Sequence, residues 1–114
     1  MADTSTKRLA NLFRALSHPT RLELLRRLSR VPTQWSVLIQ GLGCSRQAVA
    51  KHIKILEAAG LISAGDEPEY HIYHLEAARL AAIENWLRHY KRLIKPISAT
   101  IDGDCDILNP WETG

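Results

Sequence analysis

Residues Gly43–Leu61 constrain this chain more than any other stretch. A helix start, an amphipathic helix and a helix stop follow one another there without interruption. Ser45 is a strong N-cap, because its hydroxyl can accept from an orphan amide of the first helical turn. Gly60 is a strong stop, because glycine adopts the left-handed geometry needed just past a helix end. Between them Val49, Ile53 and Leu56 recur at i, i+4 and i+7, which predicts one buried stripe. Arg46, Gln47, Ala50, Lys51 and Lys54 fall largely on the opposite side. Arginine can read guanine bidentately, glutamine can read adenine, and lysine neutralises phosphate. Ala50 is small enough to let the helix approach a base edge. Such a helix suits the major groove of DNA, although a solvated basic face accounts for it equally well in isolation.

What precedes and follows the helix decides between these readings. Thr33 is expected to cap a short helix through Trp35 and Leu38 that ends near Gly41, with Leu42 closing its apolar stripe. Gly41-Leu42-Gly43-Cys44 then forms a tight turn into the helix opened by Ser45. A short helix, a glycine turn and a basic second helix make a helix-turn-helix. After Gly60, Leu61–Ala64 and Tyr70–Leu75 read as two strands joined by Gly65-Asp66-Glu67-Pro68, which has turn composition. The expected fold is therefore mainly α with a two-stranded β wing, a winged helix-turn-helix.

The other helices supply the body. Leu9, Leu12, Phe13 and Leu16 mark an amphipathic first helix, which Ser17-His18-Pro19 interrupts. Thr20 and Glu23 have capping-box spacing, and Leu22, Leu25 and Leu28 continue a second helix. A long last helix is expected over 76–94. Its residues Leu80, Ile83, Leu87, Tyr90 and Ile94 fall near heptad spacing, and Ala82, Trp86 and Leu93 widen the apolar surface. That is more apolar surface than a small core needs from its final helix. The expected use is a homodimer interface with Leu9, Leu12 and Phe13 of the first helix, since paired modules read paired half-sites. The alternative is a cap on the chain's own core.

Length and charge agree with this picture. At 114 residues the chain can bury one core and has no room for a second domain of ordinary size. Residues 1–96 are expected to form the DNA-binding and dimerisation domain, and 97–114 an acidic, solvated tail. No apolar run is long enough to span a bilayer, and no signal peptide is evident, so no membrane partner is expected and a cytoplasmic location is. Two widely separated cysteines make no disulfide framework. Residues 1–60 hold ten Lys or Arg against three acids, whereas residues 61–114 hold five against nine. The basic half contains the helix-turn-helix, which favours a polyanionic partner there. No phosphate loop, nucleophile elbow or HExxH occurs, so no enzyme and no cofactor is expected.

Three segments resemble the ArsR/SmtB-type bacterial repressors. Phe13–Leu22, reading FRALSHPTRL, is similar to their FKALADPTRL opening. Gly43-Cys44-Ser45 with Lys51-His52-Ile53 and Leu56–Leu61 resembles their GLSxxxVSxHLxxLxxAGL core, in the variant that reads TRQAVSKHL. Ile72-Tyr73-His74-Leu75 is similar to their VYYRL strand. The resemblance spans roughly residues 9–94. It implies four helices, two strands and a fifth helix, in that order. It also implies a homodimeric repressor of double-stranded operator DNA, released by a small-molecule or thiol-reactive effector. The implied DNA-binding residues are Ser45, Arg46, Gln47, Ala50, Lys51, His52 and Lys54.

The metal effectors of that family lack their ligands here. Gln34 and Ser36 stand where the thiolate site needs cysteines, and Ala77, Arg79, Tyr90 and Leu93 stand where the zinc site needs carboxylates and imidazoles. Zinc requires about four N, S or O donors. His71, His74 and His89 are the remaining imidazoles, and the odd separation of the first two puts them on opposite faces of a strand. No metal is expected. Cys44 precedes the N-cap of the reading helix and is a candidate sensor, since a helix N-terminus and a cation favour thiolate. Packing as a small hydrophobe is the favoured alternative. Cys105 sits among Asp102, Asp104 and Asp106, which dull a thiol. The acidic tip Asp66-Glu67-Pro68-Glu69 would be repelled by phosphate, so affinity is expected from the reading helix with Arg14, Arg21, Arg26, Arg27 and Arg30. A winged-helix interaction module without specific DNA binding is the competing function.

Overall fold

The computed structural model describes residues 4–66 and 71–94. Helix α1 spans Thr4–Leu16 and α2 spans Pro19–Leu28. A short strand β1, Thr33–Gln34, leads into the single-turn helix α3, Trp35–Leu38. Helix α4 spans Arg46–Ala58, strands β2 and β3 span Ile62–Ala64 and Ile72–Leu75, and α5 spans Ala77–His89. The protein is mainly helical with a small antiparallel sheet, and the sequence-derived order holds except for one added strand.

That strand is the first correction. Thr33 caps no helix. It pairs with Tyr73, and Gln34 pairs with Ile72, so the sheet has three strands in the order β1-β3-β2. The Thr33 hydroxyl donates to the Val31 carbonyl at 2.8 Å, and α3 starts after Gln34, whose side chain makes no cap bond. Helix α3 therefore ends at Leu38, three residues before Gly41. A two-residue strand has no periodicity to read, so only its partner reveals it. The other hairpin strand pairs Ile62 with Leu75, Ser63 with His74 and Ala64 with Tyr73.

The entry to α2 is the second correction. Thr20 does not cap it. His18 occupies the N-cap, its Nδ1 accepts from the Thr20 amide at 3.1 Å, and Pro19 follows at the first helical position. Proline is tolerated there because its missing N–H would be an orphan anyway. Glu23, freed from a capping box, instead accepts from Arg26 and Arg27 at 2.8–3.0 Å. Arg26 first, and then Arg27, hold its carboxyl down to about 2, against the opposing effect of burial.

The chain divides into two compact units, Met1–Ile83 and Glu84–Gly114. The core of the first is built by Leu12 and Ala15 of α1, Leu24 and Leu28 of α2, Leu38 of α3, and Val49, Ile53 and Leu56 of α4, with Leu61 and Ile62 from the start of the wing. Leu24, Leu38, Leu56 and Leu61 are fully enclosed. Leu80 and Ile83 of α5 pack against this core, half-buried. In the second unit, α5 ends at His89 and the backbone continues in hydrogen-bonded turns to Ile94. Leu87, Tyr90, Leu93 and Ile94 are exposed there. Glu67, Pro68 and Glu69 of the acidic tip, Cys105 and the acidic tail lie outside the described residues.

Candidate nucleic-acid interface

Helix α4 is fixed at both ends by its own sequence. Ser45 is extended at φ −67° and ψ 158°, and its Oγ accepts from the Ala48 amide at 3.1 Å. At the other end Gly60 has φ +77°. The Gly60 amide donates to the Glu57 carbonyl at 2.9 Å and the Leu61 amide to the Leu56 carbonyl at 3.0 Å. This pair of bonds is the Schellman closure, and the buried Leu56 and Leu61 supply its usual apolar contact. The turn before α4 also needs glycine, since Gly41 and Gly43 have φ of +70° and +75°.

These ends hold a two-sided helix. Val49, Ile53 and Leu56 are buried, whereas Arg46, Gln47, Lys51 and Lys54 are exposed and Ala50 is half-buried. None of the three cations makes an ion pair with another described residue. Glu57 is the first carboxylate along the helix. From position 46 to 54 the helix advances about 12 Å, comparable with the width of the major groove. The surface is a capped cationic rod with amide and guanidinium donors at its N-terminal end.

His52 departs from that surface. Its ring is half-buried, its Nδ1 lies 3.0 Å from Arg21 Nη1, and its centroid lies 4.2 Å from that of His18. Burial, followed by the charges of His18 and Arg21, pushes its pKa down. His52 therefore has its Nδ1 engaged by Arg21 of α2, unlike the other residues expected to read DNA. The reason is angular: position 52 borders the stripe of Val49, Ile53 and Leu56 and turns with it.

The α2 arginines are likewise engaged by the protein itself. Arg21 is buried, and its Nε donates to the Ala15 carbonyl at 2.6 Å and its Nη2 to the Arg14 carbonyl at 3.3 Å. It closes the C-terminal end of α1. Arg26 and Arg27 pair with Glu23, and Arg27 Nη1 also donates to the carbonyls of Leu38 and Gln40 at 2.8 and 2.6 Å. These three do not form the free cationic surface expected of them, whereas Arg14 and Arg30 are exposed. The structural role of Arg21 was legible in one respect: position 21 lies on the same stripe as Leu24, Leu25 and Leu28.

Other sequence-derived positions are also placed. Leu12, expected at a dimer interface, is buried in the core of the first unit. Leu9, Leu80 and Ile83 are half-buried against that core, while Phe13, Leu87, Tyr90 and Ile94 are exposed. Cys44 is a free, exposed thiol, so it is not packed as a small hydrophobe. Among the described residues, no three His, Cys, Asp or Glu side chains gather to hold a metal ion. No helix among them is long and apolar enough to cross a membrane.

Known proteins share this arrangement. The helix-turn-helix domain family matches residues 16–63. The HTH-type transcriptional regulator Rv2034 of Mycobacterium tuberculosis is 30% identical over 95 residues, covering 82% of this chain and 89% of the relative. A solved ArsR family transcriptional regulator, RHA00566, superposes with a TM-score of 0.72 at 31% identity, covering 84% of this chain and 98% of the other. The homodimeric winged helix-turn-helix domain of Mb0332 from Mycobacterium bovis shares the fold, with a TM-score of 0.59 at 20% identity, covering 75% and 82%. Rv2034 and RHA00566 are both transcriptional regulators.

Proposed function

The chain belongs to the ArsR family of helix-turn-helix transcriptional regulators, and from that membership we propose that it is a cytoplasmic, homodimeric repressor that reads double-stranded operator DNA through α4. The observation that carries this reading is the exposed row Arg46, Gln47, Lys51 and Lys54 on a helix closed by Ser45 and Gly60. Arg46 and Gln47 read base edges, because they stand in the first turn and their side chains match guanine and adenine. Lys51 and Lys54 neutralise phosphate and bind without regard to sequence. Ser45 presents the helix N-terminus, and Ala50 allows close approach. His52 stays with α2.

Dimerisation rests on apolar side chains left in solvent. Phe13 of α1 is 37% exposed; in the second unit Leu87, Tyr90 and Ile94 are 44%, 40% and 46% exposed. Exposed apolar groups that lie together, as Leu87, Tyr90 and Ile94 do within one short segment, suit a partner surface. A two-fold dimer would set two copies of α4 one helical turn of DNA apart. Repression follows from occupancy, since a dimer seated on a promoter excludes other proteins from it.

A footprint over the DNA flanking the chain's own gene, titrated with salt, tests the reading. The expected result is a paired half-site protected at moderate salt, a steep salt dependence, and loss of sequence preference in Arg46→Ala or Gln47→Ala. Lys54→Ala should weaken all sequences alike and lower the salt slope by about one. Equal binding of promoter and random duplex would defeat the proposal.

A further inference from the structure

The DNA-reading role leaves one cluster without a use. His18, Arg21 and His52 meet where the N-terminus of α2 packs on α4. Arg21 Nη1 can only donate, because a guanidinium has no acceptor, so the His52 Nδ1 at 3.0 Å must accept. The Thr20 amide can only donate, so the His18 Nδ1 at 3.1 Å must also accept. The His52 ring is thereby held neutral, with its hydrogen on Nε2. Its centroid lies 4.2 Å from that of His18, and Arg21 carries a permanent charge beside it.

We propose that this cluster is an acid-sensitive latch: neutral His52 ties the recognition helix to Arg21 of α2, and protonation of His52 loosens that tie and weakens DNA binding. The proposal rests on the DNA-reading role of α4. The geometry gives the direction. A neutral ring with its hydrogen on Nε2 takes the incoming proton on Nδ1. At His52 that places a new N–H against the Arg21 N–H and a cation against a cation.

Among the described residues no carboxylate offsets the new charge. The titratable and charged groups facing His52 are Arg21 of α2 and His18, the residue that caps α2. Helix α1 brings to the cluster the Arg14 and Ala15 carbonyls, both taken by Arg21. On α4 the positions one turn away, Ala48, Val49, Ile55 and Leu56, are uncharged, and β2 is Ile-Ser-Ala. Burial also resists the charged form. The folded state thus binds fewer protons than the unfolded one through the imidazole range, and the contact weakens as pH falls. The structure fixes α4 to α2 by polar bonds only here among the described hydrogen bonds, so the loss falls on the reading helix.

The test uses the full chain at constant ionic strength. Nitrogen-15 NMR of the imidazoles should show His52 as the Nε2–H tautomer at about pH 7.5, and amide protection in α4 should drop at about pH 5. Affinity for duplex from the chain's own promoter should fall several-fold over the same interval. The ratio of the two affinities, not either value, is the readout. In His52→Gln, which cannot titrate there, that ratio should approach one. An Nδ1–H tautomer at His52, binding that is unchanged or tighter in acid, or the same loss in His52→Gln would overturn the latch. Failure of promoter DNA to bind at about pH 7.5 would instead count against the DNA-reading role, and the tautomer and protection measurements would still judge the latch.

Discussion

Replacing Gly60 by alanine should destabilise the fold by about 1 kcal/mol, for a reason that separates backbone strain from crowding. Gly60 has φ +77°. An L-residue in left-handed geometry costs about 1–2 kcal/mol. Alanine also restricts the unfolded chain and returns about 0.4–1 kcal/mol. A β-carbon at position 60 would lie 2.6 Å from Arg79 Nε, with Cδ and Cγ of the same side chain at 3.3 Å. Arg79 is the far end of a flexible, exposed side chain, so it can swing aside at little cost. Strain therefore dominates, and the net falls near 1 kcal/mol. The assay is urea unfolding at fixed protein concentration, since the proposed dimer would couple stability to concentration. With a slope of about 1–2 kcal/mol/M, the midpoint should fall by about 0.5–1 M. Gly60→Asn should lose less, because asparagine tolerates left-handed geometry. Adding Arg79→Ala to Gly60→Ala should recover little. Full recovery in that double variant would refute the argument, as would an alanine variant as stable as the parent.

Three further outcomes follow from the same structure. Ser45→Ala should cost about 1 kcal/mol and Ser45→Gly only a few tenths, because the lost bond is the cap to the Ala48 amide at 3.1 Å; equal losses in thermal unfolding would show that Ser45 acts otherwise. Leu56→Ala should cost about 2–5 kcal/mol, since Leu56 is fully enclosed and forms the apolar closure of α4; a loss under about 1 kcal/mol in urea unfolding would mean the core collapses around the gap. Glu23 is held at about 2 against an ordinary 4.5, so the unfolded state binds more protons as pH drops through that interval. Its contribution is complete above about 4.5 and is lost as pH falls towards about 2. Glu23→Gln should therefore flatten the acid limb of a stability-versus-pH curve, and an unchanged limb would argue against this ion pair.

Local chemistry by itself determined the centrepiece of this protein. Ser45, Gly60 and the spacing of Val49, Ile53 and Leu56 specify α4 within a few residues, because caps and a one-third periodicity are short-range properties. The same row of residues decided that Arg46, Gln47, Lys51 and Lys54 face outward. Three things required the tertiary structure. Strand β1 exists only because Thr33 and Gln34 meet Tyr73 and Ile72 across nearly forty positions of chain. His18 caps α2 where Thr20 had the better composition, since its ring reaches the Thr20 amide. Arginine charge was readable as a count but not as a surface: Arg21 bonds to α1 and His52, while Arg27 pairs with Glu23 and bonds to the Leu38 and Gln40 carbonyls. A guanidinium reaches far beyond its own turn, so its partners depend on which elements pack beside it. Helix α4 was written locally; what grips it from behind was settled only when α2 packed against it.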